Sequence, residues 1–99
     1  MIKHIALWRL KLADGQSKEA AAAMINTAMR AQLGKIPGLL ESEAGLNFKS
    51  SEKAFDVAIY TVFEDRAALD AYHHHSAHHE TRAKVDALVA ASCFVDYEC

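Results

Sequence analysis

Five of the six histidines in this 99-residue chain fall between His73 and His79. Such a cluster raises two chemistries: metal ligation, and proton transfer near neutral pH, where an imidazole titrates. On one continuous helix His74 with His78, and His75 with His79, would share a face. The chain has no His-Glu-x-x-His pattern, however, and three adjacent histidines cannot all face one ion. Ser76 also reads as the start of a new helix, which breaks the pairing. No native metal site is expected, and the cluster would bind nickel or zinc only adventitiously. There is no Gly-rich phosphate loop, no Ser-His-Asp arrangement and no nucleophile elbow. Nothing calls for a flavin or a nicotinamide, so no cofactor is expected. If Cys93 and Cys99 lie on one extended segment they are about 20 Å apart, too far for a disulfide. They read as reduced thiols of a cytoplasmic protein.

The elements that must position these side chains follow from periodicity. Ile2 to Lys11 alternates as a strand, and Asp14-Gly15 is a turn signal. Ser17 is placed to cap a helix running to about Leu33, with Ala21, Met24, Ile25, Ala28, Met29 and Leu33 on one face. Gly34 and Pro37-Gly38 end it. Leu39 to Phe48 is a second strand, and Lys49 to Lys53 is a polar hairpin loop. Ala54 to Phe63 is the strongest strand, with Phe55, Val57, Ile59, Thr61 and Phe63 on one face and Ala58, Tyr60 and Val62 on the other. Asp65 caps a short helix carrying Leu69 and Tyr72. Ser76 is placed to cap another helical stretch with Ala77, Thr81, Val85, Leu88 and Val89. Ser92 to Glu98 is the last strand. The order β-α-β-β-α-β predicts a single α+β domain over residues 1–99, a ferredoxin-like split βαβ with one antiparallel sheet and its helices on one face.

That sheet has apolar residues on both faces. The first strand carries Ala6, Trp8 and Leu10 on one side and Ile5 and Leu7 on the other. The chain's own helices cover one face, and a second copy of the sheet is the simplest cover for the other. A homodimer through the sheet faces is therefore expected, and a domain this short gains from the extra burial. Hydrophobic residues are 52% and charged residues 24% of the chain, which places it among globular and not disordered proteins. A net charge of −2 with scattered lysines and arginines argues against nucleic acid and anionic membrane as partners. No targeting segment and no apolar run of membrane-spanning length is visible.

Three stretches resemble the stress-responsive A/B barrel (Dabb) family. They are Ile2 to Lys11, Lys35-Ile36-Pro37-Gly38-Leu39, and Phe63-Glu64-Asp65 through Tyr72 to His75-Ser76-Ala77-His78, closing with Val95-Asp96-Tyr97. The resemblance covers essentially the whole chain in register. It implies a ferredoxin-like protomer and a dimeric α/β barrel made by two facing sheets. The family is functionally mixed. It holds plant stress-induced proteins and a plant polyketide cyclase that closes a poly-β-keto chain by an aldol reaction without a cofactor. By that resemblance Tyr72 and His78 match the cyclase's catalytic tyrosine and histidine, and His4 matches a histidine of its cavity. Val57 stands where the cyclase has another cavity histidine, and Ser76 replaces a proline usual in the histidine motif.

Aldol chemistry needs a base for a proton next to a carbonyl and a donor for the enolate oxygen. His78 can be the base and Tyr72 the donor. His4 would assist in a mostly apolar cavity lined by Ala6, Trp8, Val57, Ile59 and Phe94, of the kind small molecules occupy. An apolar or carbonyl compound is the implied ligand. Each residue also has a plainer reading: Tyr72 as a core tyrosine, His78 as a helix cap, His4 as a satisfied core histidine. A ligand-binding or stress-associated dimer without chemistry remains open on those readings. So does a cofactor-free monooxygenase on the same barrel, by fold analogy alone.

Overall fold

The structure, a computed structural model, describes residues 1–99. Four strands, β1 (Ile2–Leu10), β2 (Leu39–Leu46), β3 (Val57–Phe63) and β4 (Val89–Glu98), form one sheet in the order β2-β3-β1-β4. Every neighbouring pair is antiparallel. Three helices lie between them in sequence: α1 (Lys18–Arg30), α2 (Arg66–His74) and α3 (Ser76–Val85). This is the ferredoxin-like arrangement expected from the pattern, with the second helical region split in two. No helix is long and apolar enough to cross a membrane.

Local chemistry sets the boundaries. The Ser17 hydroxyl accepts from the Ala20 amide at 3.1 Å and the Asp65 carboxylate from the Ala68 amide at 2.8 Å, which opens α1 and α2 at orphan donors. The cap of α3 differs from expectation. Ser76 is its first residue, and His75 is the N-cap, its Nδ1 accepting from the Ala77 amide at 3.0 Å. His75 is extended, so α2 and α3 are separate helices and the histidines do not line one face. β3 begins at Val57, not at Ala54. Asp56 is taken up by bonds its strand position could not make, accepting from the Leu10 amide at 2.7 Å and the Lys18 ammonium at 2.8 Å. Those contacts hold its carboxyl below the usual range, the amide contributing most. They tie the end of β1 to the start of α1. Val85, Leu88 and Val89 fit a helical spacing, yet α3 ends at Val85 and a single 3₁₀ turn leads into β4 at Val89.

The sheet's inner face packs on the helices. Ala6, Val57 and Ile59 meet Ala21, Ile25, Ala28 and Met29 of α1, Val85 at the end of α3 and Leu88 in the turn after it. A second cluster joins Ile2, Ile36, Leu39, Phe63 and Tyr72 under α2. Gly38 sits at its rim with φ +83°, its carbonyl accepting from the Glu64 amide at 2.9 Å. A Cβ there would lie 2.5 Å from the Cβ of Ala68, so the chain entering β2 runs directly against α2.

On the outer face Ile5 lies between Tyr60 and Val95, and Leu7 between Ala58 and Cys93. No element of the protomer covers it. Val95 is 54% and Tyr97 43% exposed, and β4 has no buried residue at all.

Candidate functional site

A cavity of about 370 Å³ opens between the inner face of the sheet, α2 and α3. Strands β1, β3 and β4 supply Ala6, Trp8, Ile59 and Phe94, and α1 supplies Met29. Tyr72, His78 and His4 all line it. The sequence-derived pair and its helper therefore come together, with four of the five expected wall residues. The fifth is a correction. Val57 is 1% exposed and buried in the main core against α1, and it does not reach this cavity. It shares a face with Ile59, but it opens β3 two residues earlier, where its side chain packs in the core with α1.

Tyr72 and His78 come from different helices, and the break at His75 folds α3 back so that they meet. Their ring centroids are 4.1 Å apart at 44°. Tyr72 is wedged edge-on to Phe63 at 4.9 Å, and its hydroxyl accepts from the Gln32 side-chain amide at 3.3 Å. Because Gln32 donates to the phenol oxygen, the phenol proton is free for another acceptor. His78 is 8% exposed, and its Nδ1 is buried with no hydrogen-bond partner. Across the cavity His4 is bound through Nδ1 to the Asp96 carboxylate. The sheet register places His4 directly opposite Asp96.

Among the cavity neighbours that were not anticipated, four bear on its chemistry. Gln32 lies past the end of α1 among surface-type residues, and its burial comes from the turn Gln32 to Lys35, which no periodicity marks. Asp96 stood in view in the closing Val95-Asp96-Tyr97 stretch, but its partner depends on strand register. His73 lines the cavity, with its ring 6.3 Å from that of His4 and 5.9 Å from that of His78. Arg82 enters from α3. The other histidines serve the backbone: His74 bonds the Asp70 carbonyl at 3.1 Å, His79 the His73 carbonyl at 3.1 Å, and His75 caps α3. A neighbouring polar hollow of about 430 Å³, lined by Arg66, Asp70 and Glu98, shares only His73 and Asp96 with the cavity.

Comparison with known proteins fits this architecture. The family model described as the stress responsive A/B barrel domain matches residues 2–99. The chain belongs to this family. No curated protein matches the sequence. Among solved structures, a dimeric protein of unknown function with a ferredoxin-like fold from Bacteroides fragilis is 25% identical, with a TM-score of 0.81 over 99% of this chain and 95% of that one. An Arabidopsis thaliana protein is 20% identical, with a TM-score of 0.83 over 100% and 95%. A hydroxynitrile lyase from Passiflora edulis is 15% identical, with a TM-score of 0.78 over 97% and 90%.

The electrostatics of this A/B barrel cavity are those of a partly dry space. Burial pushes the His78 imidazole down to about 4, aided by the Arg82 guanidinium and by His73. Burial also lowers His73, and it raises the Tyr72 phenol against the opposing bond from Gln32. His78 is thus neutral throughout the physiological range. The folded value lies below the ordinary 6.5 of an unfolded histidine, so the unfolded chain binds a proton first as pH falls. The stability contributed by neutral His78 is whole above pH 6.5 and is lost as pH falls toward 4, an amount on the order of 2–3 kcal/mol. We expect urea unfolding at pH 7 and pH 4.5 to show a clearly smaller acid loss for His78→Gln than for the wild type.

Proposed function

We propose that this A/B barrel protein binds a small, largely apolar carbonyl compound and acts on it by cofactor-independent acid–base chemistry. Tyr72 and His78 carry the chemistry at the carbonyl, and His4 assists. The observation that carries the reading is the convergence of these three groups on one mostly apolar cavity of about 370 Å³, a size suited to a small organic molecule. Tyr72 and His78 also stand where the plant olivetolic acid cyclase of this family carries its catalytic tyrosine and histidine, which supports an enolisation or aldol reaction of the polyketide-cyclase type. The same fold is found in a hydroxynitrile lyase from Passiflora edulis, so the scaffold is compatible with catalysis.

The working unit in this proposal is a homodimer in which two sheets face each other through Ile5, Leu7, Tyr60, Val95 and Tyr97. The uncovered apolar face supports it, as does the description of the Bacteroides fragilis structure as dimeric. The two exposed free thiols, Cys93 and Cys99, suit a reducing cytoplasm.

A second reading is a ligand-binding dimer without turnover. It draws on the burial of Tyr72 in the second core cluster, where a tyrosine serves packing alone. Incubating the wild type with β-keto thioesters and 1,3-dicarbonyl compounds, with products followed by mass spectrometry, tests both. Conversion supports the first reading. Calorimetric binding with no conversion of any compound supports the second, and oxygen uptake with a phenolic substrate would move the protein to the monooxygenases.

A further inference from the structure

The cavity holds two histidines whose surroundings suit them to different tasks. His78 has an unpartnered, buried Nδ1 and no carboxylate bonded to it, Asp86 acting on it only weakly through space. His4 has its Nδ1 bound to the Asp96 carboxylate, from the strand directly opposite. We propose that His4, oriented by Asp96, is the base that removes the proton from the carbon next to the carbonyl, with Asp96 as its positioning residue. This rests on the reading that the cavity enolises a carbonyl compound, and it gives that chemistry a different proton acceptor from the tyrosine–histidine pair.

A neutral imidazole carries one proton, and a carboxylate can only accept. The Asp96 contact therefore fixes that proton on Nδ1 and leaves the Nε2 lone pair as the acceptor. When Nε2 takes a proton, the carboxylate beside Nδ1 stabilises the imidazolium. His78 lacks such a bonded partner, and Arg82, His73 and His79 oppose a positive charge on it more than Asp86 favours one. The ring of His4 is kept in place by Phe94 at 5.6 Å and His73 at 6.3 Å. Its own backbone carbonyl accepts from the Thr61 hydroxyl at 3.2 Å, which anchors the strand beneath it.

The step balances without a co-reactant. Nε2 of His4 takes the proton, and the C–H electron pair becomes the C=C bond of an enolate. The carbonyl oxygen takes the charge and receives the Tyr72 proton as a hydrogen bond, with neutral His78 beside it. The enolate carbon then bonds to a second carbonyl carbon of the same molecule. The proton on His4 goes to the new alkoxide. An imidazole is a mild base, so the substrate's C–H must be acidified. That selects compounds with a carbon between two carbonyl groups.

The test uses deuterium exchange into acetylacetone in D₂O, which reports enolisation without the natural substrate, together with the nitrogen NMR signals of the histidines. The wild type should accelerate exchange and show His4 protonated on Nδ1. Asp96→Asn should lower kcat for exchange by about 10²–10⁴-fold with little change in KM, and His4→Gln by at least as much. Both variants should keep the far-ultraviolet circular dichroism of the wild type. If the wild type catalyses exchange while Asp96→Asn and His4→Gln match it, or if His4 is protonated on Nε2, the assignment to His4 is overturned and the cavity reading stands. If the wild type does not accelerate exchange at all, both fall.

Discussion

Tyr72→Phe should lower turnover of a carbonyl substrate by about 10²–10³-fold, the cost of losing one well-placed donor to a developing oxyanion. The ring stays, so its packing on Phe63 and His78 is kept. Only the hydroxyl goes, and with it the acceptor of the Gln32 amide. Gln32 retains the Met29 carbonyl at 3.5 Å as an alternative acceptor, so the stability cost is confined to about 1–2 kcal/mol. His78→Ala removes a ring that faces Tyr72 at 4.1 Å. The void left behind outweighs the relief of an unpartnered nitrogen, so stability should fall by about 1–2 kcal/mol, and turnover, which loses a neutral polar group beside the carbonyl oxygen, should fall by about 10²-fold. Steady-state kinetics alongside thermal denaturation separates the two effects. A pair of variants that melt early yet turn over normally when folded would make both residues structural.

Gly38→Ala should be the most damaging single methyl in the molecule. An alanine at φ +83° costs about 1–2 kcal/mol in backbone strain. Its Cβ would meet the Ala68 Cβ at 2.5 Å, and relieving that overlap by moving α2 costs a further ~1–3 kcal/mol. For a domain of this size the melting temperature should fall by roughly 10–25 °C. The displacement falls on the helix that carries Tyr72, so binding in the cavity should weaken too. Gly15 also has a positive φ, but no atom lies near its absent Cβ. Gly15→Ala should show the strain cost alone, which makes it the control in the same melting experiment.

The element order and the helix starts at Ser17 and Asp65 could be read from the sequence because each depends on neighbours in the chain, whereas α1 ends at Arg30, short of the expected Leu33. The ends of β3 and β4 could not. Asp56 leaves the strand pattern because Leu10 and Lys18, more than thirty residues away, supply its partners. Val89 fits a helix and a strand equally, and only pairing with Leu10 decides it. The cavity followed the same division. Tyr72, His78 and His4 came from a family resemblance, and Ala6, Trp8, Ile59 and Phe94 lie on the face expected. Val57 failed because alternation gives a face but not a depth. Gln32 and Asp96 went unread because a turn and a strand register bring them in.

The last strand has two sides with different duties. Its inward residues Phe94 and Asp96 shape the cavity, and its outward residues Val95 and Tyr97 lie on the exposed face that the proposed dimer would cover. Alternation makes these one mechanical object, since a slip or fraying of β4 moves both sets together. For the proposed ligand and the proposed dimer, uptake and self-association would be linked equilibria, and any gain that pairing confers on binding would return as an equal gain in pairing when the cavity is filled. A protein of this kind would respond to its own abundance. Dilute protomers with loose edges would hold their ligand weakly, and crowded ones tightly. Sedimentation at a series of concentrations, with and without acetylacetone, measures that coupling directly.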